Sequence, residues 1–257
     1  MKIATWNVNS IRAREERLLD WLGRTRPDAV CLQEIKVVDE VFPYAALEAA
    51  GYHATVFGQK TYNGVAILSL QKPTNVERGF GDGDDDSQAR LLRASLGDVE
   101  VLSAYVPNGE SVGSDKWAYK LRWMRRLKDY LTRRFTVGTP LALCGDFNVA
   151  RDDLDVARPD DWAESVLCHP EIRTAMERLL DWGLIDVVRR RHPEGKLYSW
   201  WDYRNLAFPR NQGLRLDYIL ATEPLAARLT DAAIDRQERK SGGATKPSDH
   251  APVVAVF

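Results

Sequence analysis

The chain is poor in cysteine, with Cys31, Cys144 and Cys168 its only three in 257 residues. So small and odd a number gives no disulfide framework, and the first two sit in apolar strand-like runs where cysteine acts as a small buried hydrophobe. Long apolar runs are missing too. Stretches such as 141–144 (LALC) and 252–257 (PVVAVF) fall far short of the roughly 20 residues of a membrane helix. Neither charge dominates: 36 Lys and Arg face 37 Asp and Glu, so the placement of charge, and not its average, carries information about partners. There is no proline-rich or Gly/Ser linker and no repeat at solenoid spacing. Residues 1–7 hold polar side chains where a secretory signal needs an apolar run. The expectation is a soluble, cytoplasmic monomer with one domain over 1–257 and no membrane association.

What is present is enough apolar residue, 44%, to build a sizeable core at this length. Strand-like runs occur at 2–8, 28–33, 54–57, 64–70, 90–96, 100–106, 141–147, 216–221 and 252–257. Helical periodicity marks 14–24, 41–50, 114–135 and 171–182. The longest helix opens on Ser114 as N-cap and carries a core-facing stripe of Trp117, Leu121, Met124, Leu127 and Leu131. Residues 79–87 (GFGDGDDDS) lack the spacing and closing Glu of an EF-hand and predict a solvated acidic loop. Many strands, few helices and short connections predict two sheets packed face to face with helices outside.

The strand-like runs share a feature: they end in polar residues. Asn7, Glu34, Asp146 with Asn148, Asp217, and Asp249 with His250 all follow or close such runs. A strand buried along its length that finishes in Asp, Asn, Glu or His presents that group at the sheet edge, where loops build sites. Each also has a plain structural role open to it: Asn7 closing a turn, Glu34 pairing with Lys36, Asp146 and Asn148 forming an Asx turn. Asp146 and Asn148 are two apart, which in extended chain aims both at one face. Oxygen ligands, a group to orient water and donors for a charged phosphoryl group are what metal-assisted phosphodiester hydrolysis requires.

The segments TWNVNSIRAR, PDAVCLQEIKV, YVPNGE, CGDFNVA, SWWDYR, NQGLRLDYIL and KPSDHAPV, in this order, resemble bacterial exonuclease III, the abasic-site endonuclease branch of the endonuclease/exonuclease/phosphatase superfamily. The resemblance spans nearly the whole chain. It implies a four-layer α/β sandwich of two mixed β-sheets packed face to face, with helices on the outer faces. It implies Glu34 as the principal Mg2+ ligand, with Mn2+ as a possible substitute, and Asn7, Asp146, Asn148, Asp249 and His250 around the metal. Asp146 would orient and deprotonate the attacking water, and Asn148 would hold nucleophile or phosphate. His250 would contact the scissile phosphate with Asp217 as its carboxylate partner, favouring the cationic ring. Tyr105 and Asn108 match phosphate-lining positions, and Asn9 and Lys36 match lesser polar ones; some relatives carry Asp where Asn9 stands. Expulsion of the 3′-oxygen could draw on the metal, on Tyr105 or on a water.

The same resemblance implies as substrate double-stranded DNA with abasic sites or with blocked or recessed 3′ ends. Basic stretches able to meet phosphates are Arg122, Arg125, Arg126 and Lys128; Arg189 to Arg191 with Lys196; and Arg236, Arg239, Lys240 and Lys246. Between them, Trp200, Trp201, Tyr203 and Phe208 lie among Arg204, Arg210 and Arg215, a composition suited to stacking or wedging. Trp200, Leu214 and Leu216 match the pocket that in relatives receives a sugar lacking its base. One of the two tryptophans is expected in the core. Two other readings are a non-catalytic nucleic-acid-binding regulator on the same scaffold, and a phosphatase or sphingomyelinase acting on lipids or inositol phosphates. The retained acidic and histidine positions oppose the first, and the second gives no reason for SWWDYR and NQGLRLD.

Overall fold

The computed structural model describes residues 1–84, 86–242 and 245–257; Asp85, part of the acidic segment expected to form a loop at 79–87, lies outside them. In chain order the strands and helices are β1 (Lys2–Asn7), α1 (Ile11–Thr25), β2 (Ala29–Gln33), α2 (Tyr44–Ala49), β3 (His53–Phe57), β4 (Val65–Ser69), β5 (Thr74–Arg78), β6 (Leu91–Leu96) and β7 (Val99–Tyr105). There follow α3 (Asp115–Arg134), β8 (Leu141–Asp146), α4 (Pro159–Trp162), α5 (Pro170–Leu180), β9 (Leu184–Asp186), α6 (Val187–Arg191), β10 (Asp217–Thr222), α7 (Glu223–Ala226), β11 (Asp231–Ile234) and β12 (Val253–Val256). They form two six-stranded sheets, ordered β11-β12-β1-β2-β4-β3 and β5-β6-β7-β8-β10-β9.

Both sheets are mixed, and each has a parallel pair at its centre, β1 with β2 and β7 with β8. The central strands alternate between two buried surfaces, as period-2 geometry requires. Ile3, Cys31 and Ile67 of the first sheet meet Val101, Cys144 and Ile219 of the second in a shared inner core. On the outside of the first sheet Ala4, Trp6 and Leu32 pack with Trp21 and Leu22 of α1. Leu102, Leu143 and Leu220 face α3 and α5 on the outside of the second. This is the expected sandwich, with helices on its outer faces.

The expected stripe of α3 is present, and Ser114 caps it by accepting from the Trp117 amide at 3.1 Å. Trp123 and Tyr130 join the stripe in the core, while Leu121 is half-buried. The second expected helix starts later than 41, because Pro43 admits the chain into α2 only at Tyr44; Asp39–Val41 form a separate 3-10 turn. Three strands carry no apolar period and were not expected: β5, β9 and β11. All three are edge strands and short, of five, three and four residues, as edges that must discourage pairing with another chain often are.

The acidic loop differs from the expectation of full solvation. Asp82 and Asp86 grip Arg126 of α3 at 2.8 and 2.9 Å, and Arg126 stacks over Phe80. Arg126 is thereby turned inward and drops out of the basic set.

Candidate active site

The carboxyl ends of β1, β2, β7 and β8 meet at one edge of the sandwich. In the parallel pairs Asn7 is level with Gln33, and Tyr105 is level with Asp146. The antiparallel neighbour β10 begins with Asp217 opposite Asp146. One glycine is obligatory here: a Cβ on Gly145 would collide with the backbone of Ala104 on β7. Asn9, Glu34, Lys36 and Asn148 all hold left-handed backbone angles, with φ of 45°, 51°, 57° and 50°. Non-glycine residues persist there only when the surroundings hold them, and such strain gathers at functional sites.

The side chains are tied into one network across both sheets. Asn7 Nδ2 donates to Glu34 Oε1 and to Asp146 Oδ2, each at 2.9 Å. Tyr105 donates its hydroxyl to the same Glu34 oxygen at 2.8 Å, and Lys36 Nζ lies 2.7 Å from the other. Lys36 also donates to Asn9 Oδ1 at 2.6 Å, and Asn9 Nδ2 donates to Asp249 Oδ1 at 2.9 Å. Trp200 Nε1 donates to Asp249 Oδ2 at 3.1 Å. Asn148 gives its amide proton to Asp146 Oδ1 at 2.9 Å and its Nδ2 to the Val106 carbonyl, while Asn108 Nδ2 reaches Asn148 Oδ1 at 3.3 Å.

His250 is 4% exposed and has a carboxylate on either side. Its Nδ1 shares a 2.8 Å hydrogen bond with Asp217 Oδ2, and its Nε2 lies 3.8 Å from Asp146 Oδ2. Burial disfavours the charged ring, but Asp217, Asp146 and Asp249 together override it and raise its pKa to about 10. Burial pushes the Asp146 carboxyl up to about 7 against the pull of His250, with Asp217 adding repulsion. Glu34 and Asp249 go the other way. Burial opposes their charge, but Lys36 with Asn7, and His250 with Asn9 and Trp200, hold them below the ordinary carboxylate range. Burial and the Glu34 charge keep Tyr105 protonated far into the alkaline range.

A metal ion would have two places to sit. Ligand atoms of Asp146, Asp217 and His250 lie within 4.8 Å of one another and could hold an ion. His250, however, binds Asp217 through Nδ1 and keeps its proton to about pH 10, so its ring has no lone pair to offer. Glu34 and Asp249 are ionised hard oxygens linked through Lys36 and Asn9, and the Lys36 ammonium already bridges the oxygens of Glu34 and Asn9. That donor chemistry fits a hard divalent cation held by carboxylates.

Every polar residue expected in the site is gathered here: Asn7, Asn9, Glu34, Lys36, Tyr105, Asn108, Asp146, Asn148, Asp217, Asp249 and His250. The apolar set divides. Trp200 is half-buried at the site and Trp201 is the core tryptophan. Leu214 and Leu216 are 1% and 2% exposed, packed beneath Trp200 rather than open at a pocket wall. The basic candidates also divide, since Arg189 is buried on Asp155 at 2.6 Å and Arg239 stacks on Tyr203 and Phe208. Arg236 likewise stacks on Trp201 and Phe208, so these three are engaged within the protein.

Several supporting residues gave no signal in the sequence. Ser199 Oγ accepts the amides of Leu216 and Asp217, and Ser248 Oγ donates to the Asn7 carbonyl at 2.7 Å. Arg14 ties the Asn9 carbonyl to the Pro247 carbonyl. Lys120 of α3 is fully buried and gives its ammonium to the carbonyls of Asn108, Asn148 and Val166 at 3.0, 2.7 and 2.6 Å. Lys120 occupies an apolar-periodic helix in which only its charge among neighbours could have marked it.

Two packed mixed sheets, with ionised carboxylates, a carboxylate-bound imidazolium and paired carboxamides at their common edge, define a phosphoester hydrolase. The chain belongs to the Endonuclease/Exonuclease/phosphatase family, whose pattern matches residues 4–250. It is 38% identical over 269 aligned residues to an exodeoxyribonuclease III of Haemophilus influenzae, covering 100% of both chains. It is 33% identical to the DNA repair nuclease APEX1 of Danio rerio, covering 98% of this chain and 81% of that one. Among solved structures, an AP endonuclease from Archaeoglobus fulgidus superposes with a TM-score of 0.96 at 43% identity over 100% of this chain and 99% of that one. The 3′-5′ exonuclease NExo of Neisseria meningitidis gives 0.94 at 42% over the same shares.

Proposed function

We propose that the protein is a Mg2+-dependent DNA repair nuclease that hydrolyses the phosphodiester 5′ of abasic sites to leave a 3′-hydroxyl. On duplex DNA it also acts as a 3′-to-5′ exonuclease and 3′-phosphatase, and Mn2+ can replace Mg2+. The observation that carries this reading is the geometry of Asp146 and His250: Asp146 Oδ2 lies 3.8 Å from His250 Nε2, and Asp217 holds the other ring nitrogen at 2.8 Å. A general base works best when its pKa lies near the operating pH, and a buried fixed cation stabilises charge that develops in the transition state. The relatives support it: an exodeoxyribonuclease III, an AP endonuclease and a Neisseria 3′ phosphatase bound to a product DNA hairpin.

Glu34 would be the main ligand of the metal, with Asp249 and Asn7 beside it, and Lys36 and Asn9 fix the orientation of these side chains. When bound, the divalent ion supplies Lewis acidity to the phosphoryl group. Asp146 Oδ2 takes the proton of the attacking water, and the Asn148 carboxamide, fixed by Asn108 and the Val106 carbonyl, orients water or phosphate. His250 presents Nε2–H to a phosphoryl oxygen while Asp217 fixes its tautomer. Tyr105, held protonated, donates a hydrogen bond at the same edge.

The test is a labelled duplex bearing one tetrahydrofuran abasic analogue, incubated with Mg2+ or with chelator. Nicking at the analogue only with metal is expected; tight binding by intact protein without turnover would establish the regulator instead. Asp146→Ala lowers turnover by orders of magnitude and leaves duplex affinity nearly unchanged, because its role lies in the transition state.

A further inference from the structure

Beside the carboxylate cluster lies a cavity of about 490 Å³ lined by Trp162, Trp200, Arg158, Arg204 and Arg210 among others. Its wall is continuous with the site, since Trp200 lines the cavity and also donates to Asp249 Oδ2 at 3.1 Å. Trp162 ends the one-turn helix α4 and meets Trp200 edge to face, with ring centroids 5.8 Å apart and planes at 88°. Such a contact uses the edge of one ring and one face of the other, so aromatic face remains for a further flat ring. Both indoles are half-buried. The charges around them are unequal: Arg158 is paired with Asp161 and Arg204 with Asp202, at 2.8 and 2.7 Å, while Arg210 has no ion-pair partner among the described residues. A flat aromatic surface flanked by an uncommitted guanidinium suits a base together with its phosphate.

We propose that this cavity seats a nucleobase flanking the cleaved link, stacked on Trp162 with its phosphate at Arg210, and that Trp162 is a specificity-determining residue. The inference rests on the DNA nuclease reading above and names a contact that reading leaves out. Leu214 and Leu216 are buried in the cluster that Trp200 packs against, and the cavity next to the site is walled by the Trp162–Trp200 corner instead. A neighbouring base held there fixes the strand on one side of the scissile phosphate. The enzyme then requires an ordered nucleotide beside the lesion as well as the lesion itself.

The test is a binding titration in chelator, so that no turnover is needed, on a duplex carrying 2-aminopurine next to a tetrahydrofuran site. Wild-type protein quenches the fluorophore on binding. Trp162→Leu, which keeps an apolar side chain against Trp200, weakens binding about 5- to 150-fold, the span of a single lost base–aromatic stack, and abolishes the extra quench. Trp162→Phe retains both. Arg210→Gln lowers the slope of log affinity against log salt by about one. Wild-type nicking with Trp162→Leu unchanged in affinity and quench overturns this inference and leaves the nuclease reading intact. A wild-type protein that neither binds nor nicks the duplex overturns both.

Discussion

Asp217→Asn isolates the electrostatic part of the His250 arrangement. The asparagine carboxamide oxygen can still accept the Nδ1 proton, so the ring keeps its orientation and loses only its fixed counter-charge. In the intact protein burial works against the imidazolium, and Asp217 is the largest of the charges that lift its pKa to about 10. At pH 8 such a ring is roughly 99% cationic; returned to the ordinary value of about 6.5 it is roughly 3% cationic. The cationic fraction at pH 8 therefore falls about 30-fold, and uncompensated burial carries it further. Single-turnover nicking of the abasic-analogue duplex, followed from pH 6 to 10.5, reads this directly. The alkaline limb of the wild-type profile falls near pH 10, whereas that of the variant moves to 6.5 or below, and the ratio of the two rates narrows toward pH 6. The stability change has a definite sign. A folded pKa raised above the unfolded 6.5 gives stability that is full below pH 6.5 and is lost as pH rises through about 10. The difference in melting temperature between wild type and variant should accordingly shrink as pH climbs across that window. A variant with wild-type turnover at pH 8 and an unmoved alkaline limb would refute the imidazolium role.

The acid limb of the same profile should fall near pH 7, where the Asp146 carboxyl ionises, and be absent from the residual rate of Asp146→Asn. Glu34→Gln removes an ionised ligand and should raise the Mg2+ concentration for half-maximal nicking at least about tenfold, as hard-oxygen sites depend on ligand charge; a metal titration of the nicking rate measures it. Lys120→Met leaves the carbonyls of Asn108, Asn148 and Val166 without their buried donor. An unsatisfied buried acceptor costs about 1–3 kcal/mol, so urea unfolding should show a loss of that order at least, together with a lower kcat at unchanged duplex affinity. Arg215→Ala breaks a fully buried network in which Asp155 and Asp186 share one guanidinium at 2.7 Å each. Uncovering such charges costs about 3–5 kcal/mol, readable in the same denaturant titration.

The central strands were legible because they are buried on both faces and so read as short apolar runs, and the site because those runs end in Asn7, Glu34, Asp146, Asp217 and His250. Buried polar groups are costly unless they are paired, and polar endings on buried strands announce partners. The edge strands β5, β9 and β11 were not legible, since β9 and β11 are only three and four residues long and β5 is polar and largely exposed, so none shows a period. Lys120 gave no signal and Arg126 was misread for a related reason. On a helix a basic residue looks like part of a solvated face, and only the carbonyls of Asn108, Asn148 and Val166, or the carboxylates of Asp82 and Asp86, reveal that its charge points inward. Those partners are between 12 and 46 residues away, beyond any local pattern. For Leu214 and Leu216 the sequence decides nothing, because an apolar residue beside a site fits both a pocket wall and the core beneath it.

The location of the chemistry follows from the direction of the strands. Antiparallel neighbours put one carboxyl end and one amino end at each edge, whereas a parallel pair brings both carboxyl ends to the same edge. Each sheet has such a pair at its centre, and stacking the sheets brings the endings of both pairs together. Asn7 then reaches Asp146 across the inner core at 2.9 Å, although 139 residues separate them. Asp217 enters because β10 runs antiparallel to β8 and so begins where β8 ends. His250 enters because β12 runs antiparallel to β1, so the loop before it returns to the end of β1. The acids are therefore crowded by backbone topology that the inner core holds fixed, and Asp146 cannot relax away from Asp217 and His250 without unpairing a central strand. That rigidity is why burial can hold Asp146 near pH 7 while the carboxylates around His250 hold its ring near pH 10 in the same few ångströms, the separation in proton affinity that the proposed base and phosphate-binding cation need.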